Sequence, residues 1–152
     1  MLNLRKANKE DESKIMDLVK SVLSDYGLKT NPHETDKDLS DLEDYYFSKN
    51  GWFAVIEMES GIIGSYGIFK LDKKTCELRK MYLLKTYQGQ GLGKLMMEDA
   101  FKKARELGYS EIVLETNKLL DKAIAMYGKY GFVSYNPSHL SDRCDFAMKK
   151  EL

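Results

Sequence analysis

The sequence predicts a single mixed α/β domain, an α+β arrangement on a mostly antiparallel central sheet, and three observations predict it. Between Trp52 and Leu84 three strand-like segments follow one another across tight turns, the pattern of an antiparallel meander. A glycine-rich segment, Gln88 to Gly93, opens a long stretch with apolar residues at helical spacing. A short apolar run, Ile112-Val113-Leu114, lies between two helical patterns, as a strand covered on both faces would.

The elements follow in order. Leu2 to Ala7 alternates apolar and polar residues and predicts a first strand. Asp11 to Asp25 predicts a helix with Ile15, Leu18, Val19 and Val22 on one face, ended by Gly27. After a polar loop from Lys29 to Glu34, Thr35 and Asp38 resemble a capping box and predict a second helix reaching Asn50. Trp52 to Met58, Ile62 to Leu71 and Thr75 to Leu84 are the meander strands, turning at Glu59-Ser60-Gly61 and Lys73-Lys74. The helix after the glycines runs to Gly108 and would bury Leu92, Leu95, Met96, Ala100, Ala104 and Leu107. Glu111 to Glu115 is a strand, Leu119 to Tyr130 a helix stopped by Gly131, and Phe132 to Tyr135 and Cys144 to Met148 two closing strands.

Composition narrows the function. A chain of 152 residues fits one domain, residues 1–152, and can bury a core without disulfides or metal. Lys and Arg number 24 against 24 Asp and Glu, so the basic excess usual in a nucleic-acid binder is missing. No apolar run approaches the ~20 residues that cross a bilayer. The segment Met1 to Glu12 is too charged for a signal peptide. Cys76 and Cys144 stand far apart, without metal-ligand spacing, and read as reduced. The expectation is a soluble cytoplasmic domain with no nucleic-acid or membrane partner and no metal.

The most informative segment is Lys80 to Lys94, where a strand enters a glycine turn that opens a helix. Glycine lets the backbone approach a ligand closely, and the first turn of a helix offers free N–H groups to phosphate. A dinucleotide fingerprint from Gly89 needs glycine at 94, where Lys94 stands. A P-loop ending in Gly93-Lys94 needs glycine at 88 and serine or threonine at 95, where Gln88 and Leu95 stand. On local spacing alone a plain tight turn remains open.

The spacing Gln88-x-x-Gly91-x-Gly93 resembles the pyrophosphate loop of the GNAT superfamily of N-acetyltransferases. Glu77 to Leu83 resembles that superfamily's fourth strand, Leu114 to Asn117 the end of its fifth, and Ala123 to Phe132 the next helix and strand. The resemblance covers nearly the whole chain and is weakest from Gly27 to Asn50. It implies helices on both faces of the sheet, a splay between the fourth and fifth strands, and acetyl-CoA as cosubstrate. Backbone groups of Met81, Tyr82 and Leu83 would pair with the pantetheine arm. Gln88, Gly89, Gln90, Gly91, Leu92, Gly93 and Lys94 would hold the pyrophosphate. Asn117 could hydrogen-bond the pantetheine or serve as a simple cap.

The resemblance also implies direct attack of an amine on the thioester, so Cys76 and Cys144 are not expected nucleophiles. Tyr127 matches the tyrosine placed beside the coenzyme sulfur, where its hydroxyl would donate a proton to the departing thiolate; alternatively it packs on a buried helix face. Glu77 is the candidate general base, or an exposed partner of Arg79, and strand alternation would put Glu77, Arg79 and Met81 on one face. His33 and His139 read as solvent-exposed. The acidic residues Glu34, Asp36, Asp38, Asp41, Glu43 and Asp44 suit a solvated helix or the rim of a pocket for a cationic amine. A small-molecule amine is expected as acceptor, with a protein N-terminus or lysine as the alternative. A fold of this kind could also bind acyl-CoA as a sensor without catalysis. Many members dimerise, which leaves a homodimer open, and no surface in the sequence marks it.

Overall fold

The computed structural model describes all 152 residues. Seven strands form one sheet: β1 (Asn3–Lys6), β2 (Trp52–Met58), β3 (Gly61–Lys70), β4 (Thr75–Leu83), β5 (Glu111–Thr116), β6 (Val133–Ser134) and β7 (Phe146–Glu151). Their order across the sheet is β1-β2-β3-β4-β5-β7-β6. Every neighbouring pair is antiparallel except β4 and β5, which are parallel. The helices are α1 (Glu12–Ser24), α2 (Leu42–Tyr45), α3 (Leu92–Glu106) and α4 (Asp121–Lys129).

Strand alternation divides the core in two. On β2, Phe53 and Val55 join α1 residues Ile15, Val19 and Leu23 on one face. Ala54 and Ile56 join α3 residues Met96, Met97 and Ala100 and α4 residue Tyr127 on the other. The helices therefore lie on both faces; α3 buries Leu92, Met96, Ala100 and Ala104 as expected, but Met97 and Phe101 complete its buried face while Leu95 is exposed and Leu107 only half-buried.

The continuous helix expected from Thr35 to Asn50 does not form. That stretch is a 3-10 turn (Lys37–Ser40), the single turn of α2, and a second 3-10 turn (Phe47–Lys49). Aspartates here take their backbone donors outside a helix: Asp36 accepts from the Asn31 N–H at 2.7 Å, and Asp41 caps α2 through the Asp44 N–H at 3.1 Å. Asp36 and Asp38 are also buried rather than solvated. The last two strands differ in length from expectation, with β6 reduced to two residues and β7 extended to Glu151.

Two irregularities shape the middle of the sheet. The parallel register of β4 on β5 covers only Thr75, Cys76 and Glu77 against Glu111, Ile112 and Val113. Beyond Glu77 the two strands part, as the splay requires. Lys80 takes a left-handed backbone conformation (φ 55°), and the β3 register shifts between Ser65 and Gly67, which marks a β-bulge. The extra residue reverses the alternation, so Met81 faces the α3 side with Leu78. The expectation that Met81 shares a face with Glu77 and Arg79 is thereby corrected.

Candidate functional site

The opening between β4 and β5 leaves β4 backbone groups past Glu77 without a strand partner on that side. Ser65 is wholly buried, and its Oγ donates to the Lys80 carbonyl at 2.7 Å. A trans peptide is planar, with its C=O and N–H pointing opposite ways. The Met81 N–H therefore points away from β3 and into the opening.

Two cavities meet there. The second of them, about 510 Å³, runs along the α3 side and is lined by Met81, Tyr82 and Leu83 of β4, Gln88, Gly89 and Gly93 of the loop, and Ala123 and Met126 of α4. The loop is tied to the strand by Gln88, whose Nε2 donates to the Leu83 carbonyl at 3.1 Å. Gly91 is the N-cap of α3 at φ 83°, and no side chain caps the helix. The N–H groups of its first turn are thus open to an anion. A Cβ at Gly89 or Gly91 would meet nothing within 4 Å, so positive φ and not crowding demands glycine there. Lys85 and Lys122 add positive charge to the lining. The mostly apolar lining, the uncapped helix end and the two lysines suit a ligand with an apolar arm and an anionic end.

The other loop residues contribute less. Leu92 turns its side chain into the core. Gln90 donates to the Thr86 carbonyl at 3.3 Å. Lys94 is exposed and lies 4.0 Å from Glu98, outside the lining.

The first cavity, about 470 Å³, opens on the other side of β4 and shares Tyr82 and Leu120 with the second. Glu77 lines it and is buried, accepting from Arg79 Nε. The Arg79 guanidinium lies 3.6 Å from the centroid of the Phe69 ring. Burial pushes the Glu77 carboxyl above its usual range; Arg79 pulls it back and Glu115 pushes it further up. The base candidate is thus shifted toward neutrality while remaining in the opening.

A buried ionic cluster forms the cavity's roof. Arg143 grips Asp36 with two hydrogen bonds of 2.6 and 2.8 Å and donates to the Lys29 carbonyl. Lys80 Nζ donates to the Thr35 carbonyl at 3.0 Å and lies 3.3 Å from Asp36 and 3.2 Å from Asp38. Tyr46 closes the group through a hydrogen bond to Asp38. Burial alone would raise the Asp36 carboxyl, but Arg143 and Lys80 outweigh it and hold the group below its ordinary value. The bulge residue Lys80 thereby pins the 29–40 loop over the site, a role that nothing local in the sequence announces.

Asn117 lines the first cavity rather than the second. Its side chain accepts from the Leu119 N–H at 2.9 Å and donates to the Arg143 carbonyl at 3.0 Å, so it works as a turn-forming residue that also secures the 137–145 loop. Tyr127 lines neither cavity. It is buried, with its ring 5.7 Å from Phe132 in an edge-on contact. Its hydroxyl is not one of the sealed unpartnered atoms, which are Asp38 Oδ1 and Trp52 Nε1. Burial, with a smaller push from the neighbouring Tyr82, raises its pKa. Cys76 is buried, with burial raising its thiol to about 12; burial also raises Cys144, at the edge of the first cavity. Neither is poised as a thiolate. His139 is exposed at the mouth of the first cavity, and His33 lies in the exposed part of the 29–40 loop.

Sequence reasoning missed Lys85, Lys122 and Leu120, and it marked Asp36 and Asp38 as a pocket rim or solvated helix without their fastening by Lys80 and Arg143. Glu115 carried a readable signal, since it breaks an apolar run at the end of a buried strand. No group of three or more His, Cys, Asp or Glu side chains is placed to hold a metal ion, and no helix is long and apolar enough to cross a membrane.

Comparison with known proteins agrees with this geometry. The family model described as the acetyltransferase (GNAT) family matches residues 16–132. An uncharacterised N-acetyltransferase of Escherichia coli (strain K12), YjgM, is 34% identical over 134 residues, covering 85% of this chain and 80% of its own. A GNAT acetyltransferase from Staphylococcus aureus superposes with a TM-score of 0.92 at 21% identity, covering 99% of each chain. A predicted acetyltransferase from Clostridium acetobutylicum, solved with acetyl-CoA, superposes with a TM-score of 0.74 at 25% identity, covering 93% of this chain and 95% of its own. The splayed sheet, the glycine loop and these similarities lead to one conclusion: the chain belongs to the GNAT family and is an N-acetyltransferase.

Proposed function

We propose that the protein transfers the acetyl group of acetyl-CoA to a primary amine of a small acceptor, by direct attack of that amine on the thioester. The observation that carries this reading is the meeting of two cavities at Tyr82 and Leu120, beside the point where β4 leaves β5. One cavity, on the glycine loop and the first turn of α3, offers backbone donors and two lysines to the coenzyme. The other, of similar volume, has the buried Glu77 in its lining.

Each step has a group to serve it. Glu77 takes a proton from the incoming ammonium, and its raised pKa brings its basicity nearer to the task. The Met81 N–H, aimed into the opening by the Ser65–Lys80 hydrogen bond, donates to the acetyl oxygen as it gains charge. In this reading Tyr127, which matches the family's tyrosine beside the coenzyme sulfur but lines neither cavity, serves the departing sulfur once coenzyme is bound. Its raised pKa keeps the phenol protonated, and a thiolate of reference pKa near ~8.5 is too weak a base to take that proton outright. Its contribution is therefore a hydrogen bond to the departing thiolate, while the second proton shed by the attacking nitrogen as the amide forms restores the thiol. The backbone of Gln88 to Lys94 holds the pyrophosphate, with Lys85 and Lys122 beside it. The high thiol pKa of Cys76 and Cys144 supports transfer without an acyl-cysteine.

The test is turnover of acetyl-CoA against a panel of small amines, paired with calorimetric titration of coenzyme A. Coenzyme release that depends on the amine supports the reading. Tight coenzyme binding with no acetylated amine from any member would overturn it and leave an acyl-CoA sensor.

A further inference from the structure

The chemistry of the acceptor can be read from the charges around the first cavity. Three cations line it, Arg79, Lys80 and Arg143, and each is already engaged. Arg79 is paired with Glu77, Lys80 with Asp36 and Asp38, and Arg143 with Asp36 through two hydrogen bonds. Three lining carboxylates are not engaged in this way: Glu34, Glu115 and Asp142. None of them has a lysine or arginine nitrogen within 4.0 Å. Glu115 accepts only from Ser141, through its N–H at 2.9 Å and its Oγ at 3.1 Å, and both bonds use one oxygen. Its other oxygen has no partner in the chain. With the buried partners included, six carboxylates face three cations.

The imbalance exceeds what one reacting amine requires. Glu77 is the deepest carboxylate and already serves the amine that reacts. Glu34, Glu115 and Asp142 lie on the loops and strand end that enclose the remaining space. We infer that the acceptor is a small aliphatic amine carrying a second cationic centre, a diamine or polyamine, whose far charge is held by Glu115, Asp142 and Glu34. An amino acid would bring its own carboxylate against this wall and be repelled. A monoamine with an apolar tail would gain nothing from the three carboxylates, of which Glu34 and Asp142 are open to water and Glu115 is half-buried. The inference rests on the acetyltransferase reading given above and adds the substrate class to it.

Three five-carbon amines of equal reach test it: 1,5-diaminopentane, 1-aminopentane and 5-aminopentanoic acid, with tail charges positive, absent and negative. With the full chain and saturating acetyl-CoA, kcat/KM should fall in that order. The diamine should lead the monoamine by about tenfold at low ionic strength, and added salt should shrink that lead. Asp142→Asn, which removes no hydrogen bond within the chain, should raise KM for the diamine and leave that for 1-aminopentane unchanged. Glu115→Gln, which keeps an oxygen for Ser141, should raise KM for the diamine more than for 1-aminopentane while moving the acid limb down for both by removing its push on Glu77, and neither variant should alter coenzyme affinity. Equal kcat/KM for all three amines, or preference for the amino acid, would overturn the inference while the enzyme stands as an acetyltransferase. Failure of all three amines with coenzyme still bound would overturn the small-amine reading and this inference with it.

Discussion

Glu77 sits between opposing influences, with burial and Glu115 raising its pKa and Arg79 lowering it, and the net effect is upward. A base must be ionised to act, so the rate should fall as pH drops through that raised pKa. The acid limb of kcat/KM should therefore lie above the ordinary glutamate value near ~4.3. Glu77→Gln should erase that limb and slow turnover at neutral pH by about 10²–10⁴-fold, with partial recovery at high pH where the free amine needs no base. Tyr127→Phe removes one hydroxyl from a well-packed ring. A hydrogen bond to a charged group is worth ~1.5–3 kcal/mol, so single-turnover acetyl transfer should slow roughly 10- to 100-fold while coenzyme affinity holds. A wild-type single-turnover rate would reduce Tyr127 to packing. Ser65→Ala should lower kcat by less than the ~10²–10³-fold cost of deleting an oxyanion donor, because the Met81 N–H stays but loses its fixed direction. Coenzyme affinity should again be unchanged, and Ser65→Thr, which keeps the hydroxyl, should restore rate. Glu77 and Tyr127 are proposals that the sequence already raises, because their neighbours form motifs. Ser65 is not one of them, since its partner is a carbonyl on another strand and a lone buried serine carries no local mark.

At the scale of elements, the glycine loop was readable because its residues satisfy a local backbone demand. Gly91 stands at φ 83° with open space where a Cβ would go, whereas Gly93 is helical with Met126 Sδ 3.2 Å from such a Cβ. The two glycines should therefore respond differently. Gly91→Val forces a β-branched residue into the left-handed region, a cost of ~1–2 kcal/mol, and puts a side chain where the phosphates approach. Calorimetry should show coenzyme binding weakened at least tenfold in Gly91→Val and little changed in Gly93→Ala, where the flexible Met126 can give. Equal affinity in the two variants would remove the pyrophosphate from this loop. The Thr35 to Asn50 segment failed as a sequence-based expectation for the opposite reason. Thr35 and Asp38 resemble a capping box, but Asp36 and Asp38 answer to Lys80 and Arg143, which lie 44 and 107 positions away from Asp36 in sequence. Spacing cannot report a partner at that distance. The bulge at Lys80 is hidden likewise: a lysine in a left-handed conformation has no glycine to announce it.

At the scale of the molecule, the sheet consists of two plates. One is β1 to β4, and the other is β5, β7 and β6; three residue pairs of β4 and β5 join them. The strand order of the meander was visible in its turns. The placement of β7 between β5 and β6 was not, because it depends on which edge β5 leaves free. A ligand lying along the opening would bridge the plates as an additional strand does. Binding that favours the folded state adds ~2.7 kcal/mol at a ligand concentration 100 times Kd. Coenzyme A should therefore raise the melting temperature and slow amide hydrogen exchange most in β5 and β7, with β2 and β3 little affected. Uniform protection across the sheet would contradict the two-plate description. The three-pair seam also bears on the protein's lifetime. Degradation draws on partly opened molecules, and a seam of three residue pairs offers a thinly paired place for opening to start. Depleting cells of acetyl-CoA should shorten the half-life of this protein, so that its abundance tracks the supply of the metabolite it consumes.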